Sequence, residues 1–148
     1  MKNKIKGGKI LSTIIYIDGA CKGNGNDDAR AGWGATILKD SKVIEELSGK
    51  VPGKQTNNRA ELQALLETLR YIEKNNISYA KVYSDSIVLV HGVTGKAKRK
   101  ANRDIWEQIE AIFFRLREND VVVNVEHIPR EENKKADSLA QVAANSLI

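Results

Sequence analysis

The chain has 148 residues, a length that suits one domain around one core. Hydrophobic residues make up 41% and charged residues 29%, an ordinary soluble balance, and no apolar run approaches the roughly 20 residues needed to span a bilayer. A net charge of +5 points modestly toward polyanions, and the single cysteine, Cys21, excludes an internal disulfide framework and a cysteine-based zinc site. A lone thiol favours a reducing, cytoplasmic setting. The N-terminal stretch MKNKIKGGKIL is basic but lacks the apolar segment of a secretory signal. Residues 1–8 are expected as a flexible basic tail, and residues 9–148 as a single domain.

Residues 9–18 (KILSTIIYID) are β-branched and apolar, which predicts a first strand. Residues 19–31 are rich in Gly, Asn and Asp and read as a loop. Two further strands are predicted over residues 32–39 and 42–50, about a turn at Asp40-Ser41, with a second loop over 51–57. Over residues 58–74, Leu62, Leu65, Leu66, Leu69 and Ile72 recur at helical spacing and form one apolar stripe. A short strand over 80–84, a short helix over 86–93 and a basic connection over 95–103 follow. Ile105, Trp106, Ile109, Ile112, Phe113 and Leu116 mark another amphipathic helix, residues 121–128 a strand, and residues 133–144 a closing helix. Consecutive strands with short turns imply an antiparallel meander; the later strand–helix–strand unit implies parallel pairing. The predicted fold is α/β, a five-stranded mixed sheet flanked by helices.

Four acids fall at element ends. Asp18 closes the first predicted strand, Asp85 the fourth; Glu61 and Asp137 lie near the starts of the first and last long helices. Ligands of open α/β sheets gather outside strand ends, so the four can converge. Carboxylates around one point repel unless a cation neutralises them, and hard oxygen ligands suit Mg²⁺ or Mn²⁺ rather than zinc. Two such ions would activate a water and stabilise the leaving oxygen in phosphodiester hydrolysis, with no nucleophilic Ser or Cys. Each acid also has a plain structural reading. Asp18-Gly19 makes a turn, and Glu61 closes a capping box begun at Asn58. Asp85 caps the next helix, and Asp137 pairs with a nearby lysine. Spacing alone leaves both readings open.

The words around these acids narrow the choice. Tyr16-Ile17-Asp18-Gly19-Ala20-Cys21-Lys22-Gly23-Asn24 resembles the opening motif of type 1 ribonucleases H, and Pro52-Gly53-Lys54-Gln55-Thr56-Asn57-Asn58-Arg59-Ala60-Glu61 their second. Tyr83-Ser84-Asp85-Ser86 resembles the third, and Asn133-Lys134-Lys135-Ala136-Asp137-Ser138-Leu139-Ala140 the fourth, in the family's order. The resemblance implies a ribonuclease H-like fold, and a monomeric endonuclease that cuts the RNA strand of RNA–DNA hybrids, leaving 5′-phosphate and 3′-hydroxyl ends. It implies that Asp18, Glu61, Asp85 and Asp137 are catalytic and hold two ions, Mg²⁺ or alternatively Mn²⁺. It places Cys21, Asn24 and Asn58 against the minor groove of the hybrid. Lys54, Thr56, Asn57 and Asn102 would grip a DNA-strand phosphate.

Two departures from the family accompany the match. Many members carry a long basic handle after the third motif, whereas about twenty residues separate Asp85 from Trp106 here; Lys96, Lys98, Arg99, Lys100 and Arg103 would replace part of its charge. Many members also place a mobile histidine before the last helix. His127 falls at that distance from Asp137, yet Glu126-His127-Ile128-Pro129-Arg130-Glu131-Glu132-Asn133 resembles the shorter-loop subgroup, in which this position ends the strand. His127, Arg130 and Glu131 remain auxiliary candidates. The rival readings are a hybrid-binding module that has lost its chemistry and a nuclease domain derived from a reverse transcriptase. The initiating Met and the absence of a polymerase segment favour a free-standing protein.

Overall fold

The computed structural model describes residues 5–6, 9–10 and 13–146. Its centre is a five-stranded sheet. Strands β1 (Thr13–Lys22), β2 (Arg30–Lys39) and β3 (Lys42–Lys50) form an antiparallel meander. Strand β4 (Tyr79–Ser84) pairs parallel with β1, and β5 (Val122–His127) parallel with β4, so the order across the sheet is β3-β2-β1-β4-β5. This is the mixed sheet that the pattern of strands and helices predicts. Helices α1 (Asn57–Lys74), α2 (Ile87–Thr94), α3 (Arg103–Glu118) and α4 (Lys134–Asn145) complete it, with one 3₁₀ turn over Arg130–Glu132.

Alternation along β1 decides which helix lies on which face. Ile15 and Ile17 point into a core shared with α1 and α3, where Leu65, Leu66, Leu69, Ile72, Ile105 and Ile109 are all buried. Burying side chains of this size contributes about 1.5–3 kcal/mol each. The whole predicted α1 stripe is buried there, Leu62 included. Ala20, of opposite parity, packs instead with Ala140 and Ala144 of α4. That interface is built from small residues. A Cβ added to Gly32 would lie 2.3 Å from the Ala144 nitrogen, so the helix backbone rests almost directly on β2.

The first strand differs from its prediction. Lys9–Ile10 pair antiparallel with Ile5–Lys6, whereas β1 begins at Thr13 and continues four residues past Asp18 to Lys22. Residues 19–22, read above as loop, are held by β2 with Gly19 opposite Trp33 and Lys22 opposite Arg30. Their glycine and alanine reflect helices pressing on both faces, not a turn. Of the expected tail over residues 1–8, only Ile5 and Lys6 are described; its other positions lie outside the described residues. Among the described residues no helix is long and apolar enough to cross a membrane.

Gly32→Ala should force α4 outward. Overpacking of this kind costs about 1–3 kcal/mol, which for a chain of this size lowers the Tm by roughly 3–10 °C in calorimetry. An unchanged Tm would show that α4 is not seated as described.

Candidate active site

The parallel register of β1 and β4 ends with Ile17 opposite Ser84. Asp18 and Asp85 are the next residues on each strand, so they lie side by side where β4 stops. Asp18 is therefore not at the end of its own strand but at the end of its neighbour. Glu61 arrives from α1. It can do so because Gly19 has no side chain: a Cβ there would sit 2.3 Å from the Glu61 nitrogen. One carboxylate oxygen from each of Asp18, Glu61 and Asp85 lies within 4.8 Å of the others.

Three of the structural readings left open by spacing are displaced. Thr56 caps α1, its hydroxyl accepting from the Arg59 N–H at 3.1 Å, so Glu61 stands in the second turn and closes no capping box. Ser86, not Asp85, caps α2, accepting from the Leu89 N–H at 3.2 Å. Asp18-Gly19 lies within paired strand.

Electrostatics mark the cluster as incomplete by itself. Asp18 is 3% exposed; burial first, then the charges of Asp85 and Asp137, push its pKa up to about 7, although the Gly19 N–H donates to Oδ1 at 2.9 Å. Burial, then Asp18 and Asp85, raise Glu61 well above the ordinary carboxylate range, with Arg130 opposing weakly. Glu61 Oε2 is buried without a hydrogen-bond partner. Oxygen-only donors, mutual repulsion and an orphaned buried carboxylate oxygen fit a hard divalent cation. Asp137 lies in the first turn of α4, where its charge bears on Asp18, but it is not one of the three converging acids.

Sequence reasoning passed over Asn133. Its side chain is buried, and Nδ2 donates to the Ile17 carbonyl at 2.8 Å and to Asp85 Oδ2 at 3.3 Å. The available signal was its place at the head of the fourth motif; the structure shows that it makes no side-chain cap on the helix it opens.

A groove of about 900 Å³ is lined by Asn24, Lys54, Thr56, Asn57, Asn58 and Asn102, among others. These residues come from three separate stretches of chain, and all were singled out above. Asn24 Oδ1 accepts from the Asn57 N–H at 3.1 Å. Cys21 is half-buried, with Sγ 3.5 Å from the Gln55 carbonyl. Gln55 was missed: Oε1 accepts from the Ala31 N–H at 2.6 Å, while Nε2 donates to the Val51 carbonyl at 2.5 Å and the Gly53 carbonyl at 2.9 Å. It ties the Lys54 loop to β2.

The basic connection divides into two roles. Arg99 turns inward, its Nε donating to the Gly92 carbonyl at 3.0 Å, its Nη1 to Glu110 at 2.8 Å, and its guanidinium lying 4.0 Å from the Trp106 ring centroid. Lys96, Lys98, Lys100 and Arg103 are exposed. His127 is the exposed last residue of β5, in register with Ser84, and Arg130 and Glu131 are exposed in the 3₁₀ turn.

An oxygen-only carboxylate cluster at the open end of a mixed sheet, in a chain whose groove is lined by amides and a lysine, defines a metal-dependent hydrolase of the α/β class. Comparison with known proteins makes this particular. The family model described as RNase H matches residues 11–145, and the chain belongs to the ribonuclease H family. It is 33% identical to a ribonuclease H of Francisella philomiragia, covering 94% of this chain and 95% of the relative. To a ribonuclease H of Symbiobacterium thermophilum it is 35% identical, covering 90% and 95%. Among solved structures, the N-terminal RNase H domain of Rv2228c from Mycobacterium tuberculosis superposes with a TM-score of 0.77 at 30% identity, covering 91% of this chain and 94% of that one. LC11-RNase H1 in complex with an RNA/DNA hybrid gives 0.76 at 30% identity, covering 90% and 96%.

The raised carboxyls make stability depend on pH. Their folded-state pKa values lie above the unfolded ones, so the metal-free fold binds extra protons. The corresponding stability is complete below about pH 4 and is lost as pH rises through about 7. In EDTA, Tm should fall between about pH 5 and 8, and Asp18→Asn should raise Tm at the upper end by roughly 3–6 °C. A Tm that ignores both pH and this substitution would contradict the clustered geometry.

Proposed function

We propose that the chain hydrolyses the RNA strand of RNA–DNA hybrids, leaving 5′-phosphate and 3′-hydroxyl ends. Two divalent ions, Mg²⁺ or Mn²⁺, would be held by Asp18, Glu61, Asp85 and Asp137. The observation that carries this reading is the convergence of three carboxylate oxygens within 4.8 Å in a ribonuclease H family member. The hybrid bound by LC11-RNase H1 supplies the substrate class. Divalent ions supply a stronger nucleophile from water and neutralise charge on the leaving oxygen.

The chain's own residues prepare the rest. The Gly19 N–H and the Asn133 amide hold Asp18 and Asp85 before substrate arrives, so ordering them costs little at the moment of reaction. Cys21, Asn24 and Asn58 would face the minor groove, where 2′-hydroxyls distinguish RNA from DNA. Lys54, Thr56, Asn57 and Asn102 would hold a DNA-strand phosphate, and the exposed lysines of the basic connection would add affinity. His127 ends the strand rather than riding on a mobile loop, so it takes no catalytic part, and Arg130 is the better auxiliary group because its charge reaches Glu61. An inactive binding module would have no need of a buried carboxylate cluster that costs stability. Action as a monomer completes the proposal.

Asp85→Asn should abolish cleavage of labelled hybrid in excess Mg²⁺ while hybrid binding persists, because several kcal/mol of transition-state stabilisation depend on that ligand. Near-normal turnover would sink the metal-site assignment.

Reversing Lys98 and Lys100 to Glu should raise KM and flatten the salt dependence of binding, each lost phosphate contact removing about 0.9 from the log–log slope. An unchanged slope would remove the connection from the interface. His127→Ala should keep turnover within about tenfold of wild type, short of the loss typical of a general acid or base.

A further inference from the structure

Arg59 lies inside the second motif, yet its side chain is only 11% exposed and makes bonds in three directions. Nε donates to the Pro52 carbonyl at 3.0 Å, on the loop that carries Lys54. Nη1 donates to Asp104 Oδ1 at 3.0 Å and Nη2 to Oδ2 at 2.5 Å, a two-pronged pair with the start of α3. Nη1 also reaches Asn102 Oδ1 at 3.4 Å.

Asn102 is unusual in its own right. It sits at the N-cap of α3 with φ 61 and ψ 40, the left-handed region, and its side chain makes no capping bond. An asparagine before a helix ordinarily accepts from the first-turn amides. Here that oxygen is engaged by Arg59, and a backbone conformation that is sparsely populated for a side-chain-bearing residue is maintained. Arginine has donors only, so the amide oxygen must face it and both Nδ2 hydrogens lie on the other side. Asn102 and Lys54 both line the groove.

From this geometry we infer that Arg59 is a positioning residue for the substrate phosphate: it sets the Asn102 amide with its donors toward the groove and holds the Lys54 loop at the same distance. The inference rests on the proposed reading of the groove as a DNA-strand phosphate site. Without Arg59, two segments far apart in sequence would have to be ordered by the substrate itself, which weakens binding rather than chemistry. A lysine, a point charge without the planar fork, cannot serve Pro52, Asn102 and Asp104 together.

The test compares wild type, Arg59→Lys, Asp104→Asn and Asn102→Ala on hybrids whose DNA strand carries one neutral methylphosphonate, moved position by position. KM for the unmodified hybrid should rise about tenfold in Arg59→Lys, with kcat changed less than about twofold. One methylphosphonate position should raise the wild-type KM about tenfold and add little in Arg59→Lys or Asn102→Ala, since the contact is already lost. If Arg59→Lys fails to fold by circular dichroism, Asp104→Asn, altered at an exposed carboxylate, carries the same comparison. Wild-type KM and undiminished methylphosphonate sensitivity in the variants would reduce Arg59 to a structural ion pair and overturn the inference alone. A wild type indifferent to every methylphosphonate would overturn the groove reading, and the inference with it.

Discussion

Between β1 and the start of α1 there is no room for a side chain, because Gly19 meets the backbone of Ala60 and Glu61. That contact fixes the separation of Asp18 and Glu61, and so the size of the opening among three acids. The same device recurs on the opposite face, where Gly32 and Gly34 meet the backbone of α4. Near Asp18 the sheet is thus clamped between two helix backbones, and its like charges are held closer than they would settle alone. The apolar core beneath α1 and α3 keeps them there, Leu65, Leu69, Ile72 and Ile109 being fully buried. Strain at the site is sustained by packing elsewhere, as is usual where function requires an unfavourable arrangement.

Periodicity made most of this architecture legible. The stripe from Leu62 to Ile72 and the series from Ile105 to Leu116 both turn toward the core, with Phe113 packed at its margin. The extension of β1 through Gly19-Ala20-Cys21-Lys22 was not legible, since its small residues answer to helices that begin tens of residues later. The convergence of Asp18, Glu61 and Asp85 was foreshadowed by the words around them; spacing alone could not separate a converging acid from a turn or cap residue. What separates them is the capping by Thr56 and Ser86, a local matter that the same sequence could have assigned differently. Asn133, Gln55 and Arg59 stayed hidden for a common reason. Each is a polar residue in or beside a loop, and its task depends on a partner that only the fold brings near.

The segment between α2 and α3 shows how a short connection can keep part of its charge for solvent. Arg99 anchors it to Gly92, Glu110 and Trp106, while the neighbouring lysines are exposed. A run of five cations thus contains one strut. Counting positive residues would overstate the charge presented to a polyanion by that one, and would miss why the others stay in place.

The bond from Asn133 to the Ile17 carbonyl joins residues 116 apart in sequence, and the same amide reaches Asp85. Contacts of such separation are entropically costly to close and belong to the late, slow part of folding. The helix that follows Asn133 rests on alanines and glycines, which offer little apolar area to draw it in early. Helical signal would therefore return in a refolding experiment before the carboxylates are in place. Cleavage, which needs the carboxylates in place, would then report the docking of that last helix rather than the return of secondary structure.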